Sequence, residues 1–300
     1  EYRKYQKLES TYIDALIPMR DENGRIHTRF DPVGTATGRI SSAEPNLQNI
    51  PIRTEMGHEL RRYFIPCDEN HVLIDADYSQ IELRLLAHIA NDETMINAFL
   101  SGEDIHASTA SAVFNVPISE VTSELRKRAK AVNFGIVYGI GAFSLAMDLG
   151  ITKKQADEYI KSYLERFAAI DRYLKGTIES AYEKGYVETV FGRRRYIPEL
   201  SATNKMMKAF GERVAMNSPI QGSAADIIKI AMINTRRALK EANVDAKLIL
   251  QVHDELVVEA SKECAEKAAE ILRREMENAV KLSVPLSVEL TVGDTWYENK

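Results

Sequence analysis

Two apolar runs end in carboxylates. HVLIDADYSQ (71–80) carries Asp75 and Asp77, with Glu82 just beyond, and LILQVHDELVV (248–258) carries Asp254 and Glu255. Both runs are rich in β-branched residues and read as buried strands. A carboxylate at the end of a buried strand is costly unless a positive group pairs with it. Alternate residues of a strand share a face, so Asp75 and Asp77 point the same way. If the two runs neighbour each other in one sheet, carboxylates distant in sequence converge, and their repulsion forces one to bind a proton. Hard divalent cations remove that conflict. Mg²⁺ prefers oxygen ligands and combines one or two protein carboxylates with waters and substrate phosphates. Two such ions about 3.5–4 Å apart support in-line displacement at phosphorus. Taken singly, Asp254 also reads as a turn residue and Asp77 as a helix cap; their shared setting favours the joint reading.

A second group lies in SELRKRAKAVNFGIVYG (123–139), where Arg126, Lys130, Phe134 and Tyr138 are spaced by four. Steps of four drift by about 40° on an α-helix, so these side chains form one slowly spiralling stripe of two cations and two aromatics. Arg grips phosphate oxygens through its fork and Lys acts as a point charge. The rings can stack on a base. The ordinary reading, a mixed helix face, competes with this one. Gly139-Ile140-Gly141 has Ser144 where a dinucleotide fingerprint needs a third glycine, and it follows a helix rather than a strand, so it reads as a helix break. The pair His253-Asp254 lacks the further ligands of a metal phosphohydrolase.

These groups need elements to hold them. Residues 1–20 read as helical. Residues 24–55, including VGTATGRISSAEPNLQNIP, have the composition of loop and short strand, too long and polar for a plain connection. A strand is expected over 71–77 and one helix over 80–100. The chain is then nearly all helix to about residue 182, with breaks at Gly102, Pro117, Gly139, Gly141 and Gly150. A short hairpin follows in YVETVFGRRRYIP, then a helix over 203–242. Two strands flank a tight turn at His253-Asp254, and a helix over 261–281 precedes a last strand. Strands at both ends around a helical block predict an α+β fold with a helical insertion.

Bulk properties bound the reading. The 300 residues suffice for about two domains, and no apolar run could cross a membrane. The net charge of −5 does not exclude a polyanionic ligand, because binding follows local patches such as Arg126–Lys130 and Arg193–Arg195. Cys67 and Cys264 are the only cysteines, which fits a reducing compartment. The N-terminus is charged, already helix-like, and reads as part of a longer protein.

Six blocks carry a resemblance. DYSQIELR (77–84), RAKAVNFGIVYG (128–139) and QVHDELV (251–257) are similar to motifs A, B and C of the family-A DNA polymerases of the bacterial polymerase I type. TATGRISS with PNLQNIP (35–51), DIHASTA (104–110) and SPIQGSAAD (218–226) match further family blocks, in the family's order. The resemblance implies a right-hand architecture: palm over residues 1–85 and 206–300, helical fingers over 86–205, an antiparallel palm sheet, and a thumb largely absent. It implies templated addition of deoxynucleotides to a primer 3′ end by two Mg²⁺ ions, with Mn²⁺ as an alternative, and release of pyrophosphate.

Carried over by position, Asp77 and Asp254 hold the metals with the Tyr78 carbonyl. Arg126 and Lys130 grip the triphosphate with His106 and Gln80, Lys130 protonates the leaving group, and Phe134 lies against sugar and base. Glu82 blocks a ribose 2′-hydroxyl beside Tyr138. Arg39, Asn46, Gln48, Asn49, Arg213, Asn217, Gln221 and His253 contact primer–template DNA. Glu255 supports the metal ligands, and Asp75 is structural or electrostatic. The metal site is expected to bind weakly until the triphosphate arrives. The resemblance also implies a monomer, cytoplasmic and nucleoid-associated, with no membrane partner. Two other functions stay open on the residues alone: a metal-dependent nuclease using the same carboxylates, and a nucleotide- or DNA-binding module without turnover.

Overall fold

The computed structural model describes residues 2–51 and 55–297. In chain order its helices are α1 (Tyr2–Leu8), α2 (Asp14–Leu16), α3 (Glu55–Glu59), α4 (Ile81–Ala90), α5 (Glu93–Leu100) and α6 (Ile105–Phe114). They continue with α7 (Ser123–Val137), α8 (Ala142–Leu149), α9 (Lys153–Arg166), α10 (Ala168–Lys184), α11 (Lys205–Glu241) and α12 (Ala265–Glu277). The strands are β1 (Arg29–Asp31), β2 (Ser41–Ala43), β3 (His71–Tyr78), β4 (Tyr186–Glu188), β5 (Arg194–Tyr196), β6 (Ala246–Val252), β7 (Glu255–Ser261) and β8 (Val288–Gly293). The chain forms two compact units, one of residues 1–79, 225–280 and 287–300, the other of residues 80–224 and 281–286. These divisions, at 79/80 and inside α11, lie elsewhere than the palm and fingers bounds expected from the sequence; a compact unit and a functional subdomain are different partitions.

The first unit is built on a four-stranded antiparallel sheet in the order β6-β7-β3-β8. β3 is central, and six of its eight residues are buried. A strand covered on both faces reads as a continuous apolar run, which explains HVLIDADY. It also leaves Asp75 only 2% exposed. α12 packs against β3, β7 and β8. Leu47, Ile50, Leu73, Leu250, Val252, Val257 and Trp296 form one buried cluster. The polar stretch after α2 supplies the β1–β2 hairpin.

The second unit is helical apart from the β4–β5 hairpin. The single helix expected over 80–100 is two. Asn91 adopts a left-handed conformation (φ 49°) that closes α4, and the Asp92 side chain accepts from Met95 N to open α5. Similar caps start α6 at Asp104, α7 at Thr122 and α9 at Thr152, the last a full capping box with Gln155. The helix expected over 261–281 is shorter at both ends: β7 runs to Ser261 and pairs there with His71, and Asn278 leaves helical geometry at φ −102°, ψ 12°. Gly139 ends the α7 region at φ +65°, and a Cβ there would lie 2.5 Å from Met216 Cε. The break read from GIG is thus a backbone requirement and a close approach to α11.

Candidate active site

The first unit gathers the carboxylates. β3 pairs with β7 so that Asp77 faces Glu255 and Asp75 faces Val257. β6 and β7 pair through Val252 and Glu255, which leaves His253 and Asp254 as the two turn residues between them. His253 takes φ 53° there and is exposed. Tyr78 N donates to Asp254 O at 3.1 Å, so the turn is tied to the end of β3. Asp77 and Asp254 thereby meet at one end of the sheet, and both are partly exposed. The Tyr78 side chain points the other way: its hydroxyl donates to Met276 O at 2.6 Å, and burial first, with Asp254 and Glu277 adding, raises its pKa.

Glu255 is held rather than presented. It is 2% exposed, and Trp296 Nε1 donates to its Oε1 at 2.7 Å. The fully buried Arg61 places Nη1 3.7 Å from the same oxygen and its guanidinium carbon 3.8 Å over the Trp296 ring. Burial lowers the Arg61 pKa against the pull of Glu255, Asp75 and Asp77. The sequence pointed to metal ions as the positive partner of these carboxylates. The protein itself supplies a cation, which sequence reasoning missed, because ELRRYF shows two adjacent arginines and no sign that one is interior.

The donor set left at the turn fits hard cations: two partly exposed carboxylates, tied together by the backbone bond between Tyr78 and Asp254. The described residues hold a different cluster with metal-type ligands, Cys67, Asp68 and His71. In it His71 Nδ1 bonds Asp68 at 2.7 Å, which raises the His71 pKa.

Of the residues expected to contact DNA in this unit, Asn46 and Asn49 are exposed and Arg39 and Gln48 partly so. Asn46 caps a short helical turn by accepting from Gln48 N at 3.0 Å. The Gln48 amide donates to Ile40 O, Gln251 O and Gln251 Oε1. It therefore braces the strand that leads into the turn, and the Gln251 amide in turn donates to His253 O.

The second unit carries the cation–aromatic stripe. α7 exposes Arg126 and Lys130 and half-buries Phe134, while Tyr138 caps its end. Lys130 Nζ lies 5.9 Å from the Phe134 ring centre, and the His106 ring centre lies 6.0 Å from it. Arg126 Nε donates to Asp104 Oδ2. Burial works to raise the Asp104 carboxyl, but bonds from Arg126 and from the α6 backbone outweigh it and hold it below the usual range. Tyr138 donates to Glu82 Oε2 at 2.9 Å, and Glu82 is 4% exposed. Gln80, left-handed at φ 55°, is the residue before α4. On α11, Arg213 is exposed over Phe210, Asn217 and Gln221 are half-buried, and Asn217 Nδ2 is buried without a hydrogen bond among the described residues.

His106 is 2% exposed, and burial lowers its pKa to about 4, with Arg126 and Lys130 adding and Asp104 opposing. Its folded pKa lies below the unfolded value, so the unfolded chain binds more protons between about pH 6.5 and pH 4 and stability rises with pH there. Going from about pH 7 to about pH 5 is expected to cost the parent about 2 kcal/mol more than it costs His106→Gln. Urea unfolding of both proteins at both pH values checks this; equal losses would contradict it.

Comparisons with known proteins bear on this arrangement. The family model described as DNA polymerase family A matches residues 1–298. The chain is 52% identical over 301 aligned residues to DNA polymerase I of Caldicellulosiruptor bescii, and 51% identical over 301 to that of Bacillus subtilis. Each alignment takes in 100% of this chain and 35% or 34% of the relative, so the chain spans about a third of the length of these relatives. A solved structure, the POL domain of Pol1 from M. smegmatis in complex with DNA primer-template and dNTP, superposes with a TM-score of 0.94 at 46% identity. That superposition covers 99% of this chain and 52% of the other. Among the described residues no helix is long and apolar enough to cross a membrane.

Proposed function

The chain belongs to DNA polymerase family A, and on that premise we propose that it is a DNA-templated DNA polymerase. It adds deoxynucleotides to a primer 3′ end and releases pyrophosphate, working as a monomer in association with the bacterial nucleoid. The observation that carries this reading is the hairpin turn, which ties Asp254 to the end of β3 beside Asp77. The first unit's sheet corresponds to a palm and the second unit's helices to fingers.

Asp77 and Asp254, with the Tyr78 carbonyl, would hold two Mg²⁺ ions, which when bound lower the pKa of the primer hydroxyl and neutralise developing phosphate charge. The remaining chemistry falls to the chain's own side chains. Arg126 and Lys130 grip the triphosphate, with His106 and Gln80 assisting, and Lys130 delivers a proton to the leaving pyrophosphate. The Asp104 bond pre-aims the Arg126 fork, which shortens the rotamer search before phosphate binds. Phe134 lies against sugar and base. Arg39, Asn46, Asn49, Arg213, Asn217, Gln221 and His253 contact the primer–template, several from the minor groove. There A·T and G·C present similar acceptors, so such contacts test pair shape rather than sequence. Gln48 belongs with these DNA contacts, and its amide nitrogen also braces Gln251.

Glu82 excludes the ribose 2′-hydroxyl. The Tyr138 hydroxyl fixes this buried carboxylate, so it cannot swing aside for the larger sugar. Glu82→Ala is expected to narrow the preference for deoxy- over ribonucleotides by on the order of 10²-fold. Paired kcat/KM values for dATP and rATP check it, and an unchanged ratio would remove Glu82 from this role. The reading as a whole is tested by primer extension in the presence and absence of Mg²⁺, template and dNTPs.

A further inference from the structure

Three polar side chains lie buried together on α6 and α7: His106 at 2% exposure, Thr109 at 0% and Asn133 at 0%. A buried amide in the middle of a helix is unfavourable both by propensity and by desolvation unless its groups are satisfied. Here both ends are. Thr109 Oγ1 donates to Asn133 Oδ1 at 3.1 Å, and Asn133 Nδ2 lies 2.9 Å from His106 Nδ1. An amide nitrogen can only donate, so Nδ1 must accept. A neutral ring whose Nδ1 accepts carries its proton on Nε2. With the amide in this orientation, its oxygen on the Thr109 hydroxyl, it is the nitrogen that faces the ring.

We propose that Asn133 is a positioning residue that, anchored by Thr109, fixes His106 as the neutral Nε2–H tautomer, a donor of one hydrogen bond without charge to a phosphate oxygen of the nucleotide. The phosphate part rests on the polymerase reading; the tautomer does not. The charged groups around the ring are Asp104 at the start of α6 and Arg126 and Lys130 on α7. The low pKa of the buried ring keeps it neutral through the physiological range. The site would thus combine two fixed cations on α7 with one neutral donor on α6. A second consequence is that the ring offers the nucleotide no lone pair: Nδ1 is engaged and Nε2 bears hydrogen. His106 cannot then take a proton from the nucleotide.

The test uses the full chain labelled with ¹⁵N-histidine. The sequence has six histidines, so the His106 signals are assigned by their loss in His106→Gln. Long-range ¹H–¹⁵N spectra at about pH 7 should show His106 protonated at Nε2 only. In Asn133→Asp the carboxylate accepts where the amide donated, and Nδ1 should gain a proton. Thr109→Val should raise the half-saturating dNTP concentration about tenfold with a smaller change in kcat, the weight of one hydrogen bond to a charged group. Thr109→Ser, which keeps the hydroxyl, should restore it. An Nδ1–H ring in the parent overturns the proposal, and so does a Thr109→Val enzyme that matches Thr109→Ser. An Nε2–H ring in a chain that incorporates no nucleotide would support the tautomer and count against the polymerase reading.

Discussion

Asp254→Asn is expected to abolish templated primer extension while leaving the fold and primer–template binding in place. Asp254 sits in a two-residue turn whose conformation is set by backbone pairing of β6 with β7 and by the Tyr78 N–H bond to its carbonyl. Those contacts use main-chain atoms, so an isosteric amide disturbs none of them. What it removes is one unit of negative charge from the pair formed with Asp77. A Lewis-acidic ion stabilises a phosphoryl-transfer transition state by several kcal/mol. Losing its seat should lower kcat by about 10³-fold or more. Rapid-quench incorporation rates, with circular dichroism and a duplex-binding titration as controls, measure this. A variant that retains more than about a tenth of the parental rate would remove Asp254 from the metal site.

Arg61→Met should destabilise the first unit by about 3–5 kcal/mol, the range for leaving one partner of a buried ion pair alone. Arg61 is 0% exposed, and its guanidinium is stacked on Trp296 with Glu255 3.7 Å away. Its N–H groups make no hydrogen bond among the described residues, so charge and stacking hold it. Removing the cation leaves Glu255 buried as an anion, with Asp75 also interior and Asp77 on the same strand. The sharper check is the double variant. Adding Glu255→Gln to Arg61→Met removes the uncompensated charge and should return a large part of the loss, a coupling that denaturant unfolding resolves. If Arg61→Met unfolds within about 1 kcal/mol of the parent, the buried pair is not what holds this corner.

Much of the arrangement was legible in the sequence because it depends on local pattern. The central strand showed as a short apolar run, Val72 to Ile74, leading into carboxylates, and the hairpin as two apolar runs around His253-Asp254. The stripe of Arg126, Lys130, Phe134 and Tyr138 showed through its spacing of four. What escaped depends on contacts between distant residues. Arg61 and Arg62 look alike in sequence, yet one is fully buried under Trp296 and the other pairs with Glu59 at the surface. Gln48 is expected from the resemblance to contact DNA; only the fold shows its amide also bonded to Ile40 and Gln251. Asn133 lies inside the α7 motif but off its stripe, and nothing local reveals that His106 is its partner. The break at Asn91-Asp92 was readable from cap chemistry and was overridden by the apolar spacing on either side of it.

On the proposed function, these carboxylates serve templated synthesis. The most direct measurement is single-nucleotide incorporation by the unaltered chain on four primer–templates that differ only in the templating base, each offered one dNTP at a time with Mg²⁺. Extension should occur with the complementary dNTP on every template, fail without metal, and release pyrophosphate. Primer shortening without any dNTP, or extension indifferent to the templating base, would contradict it.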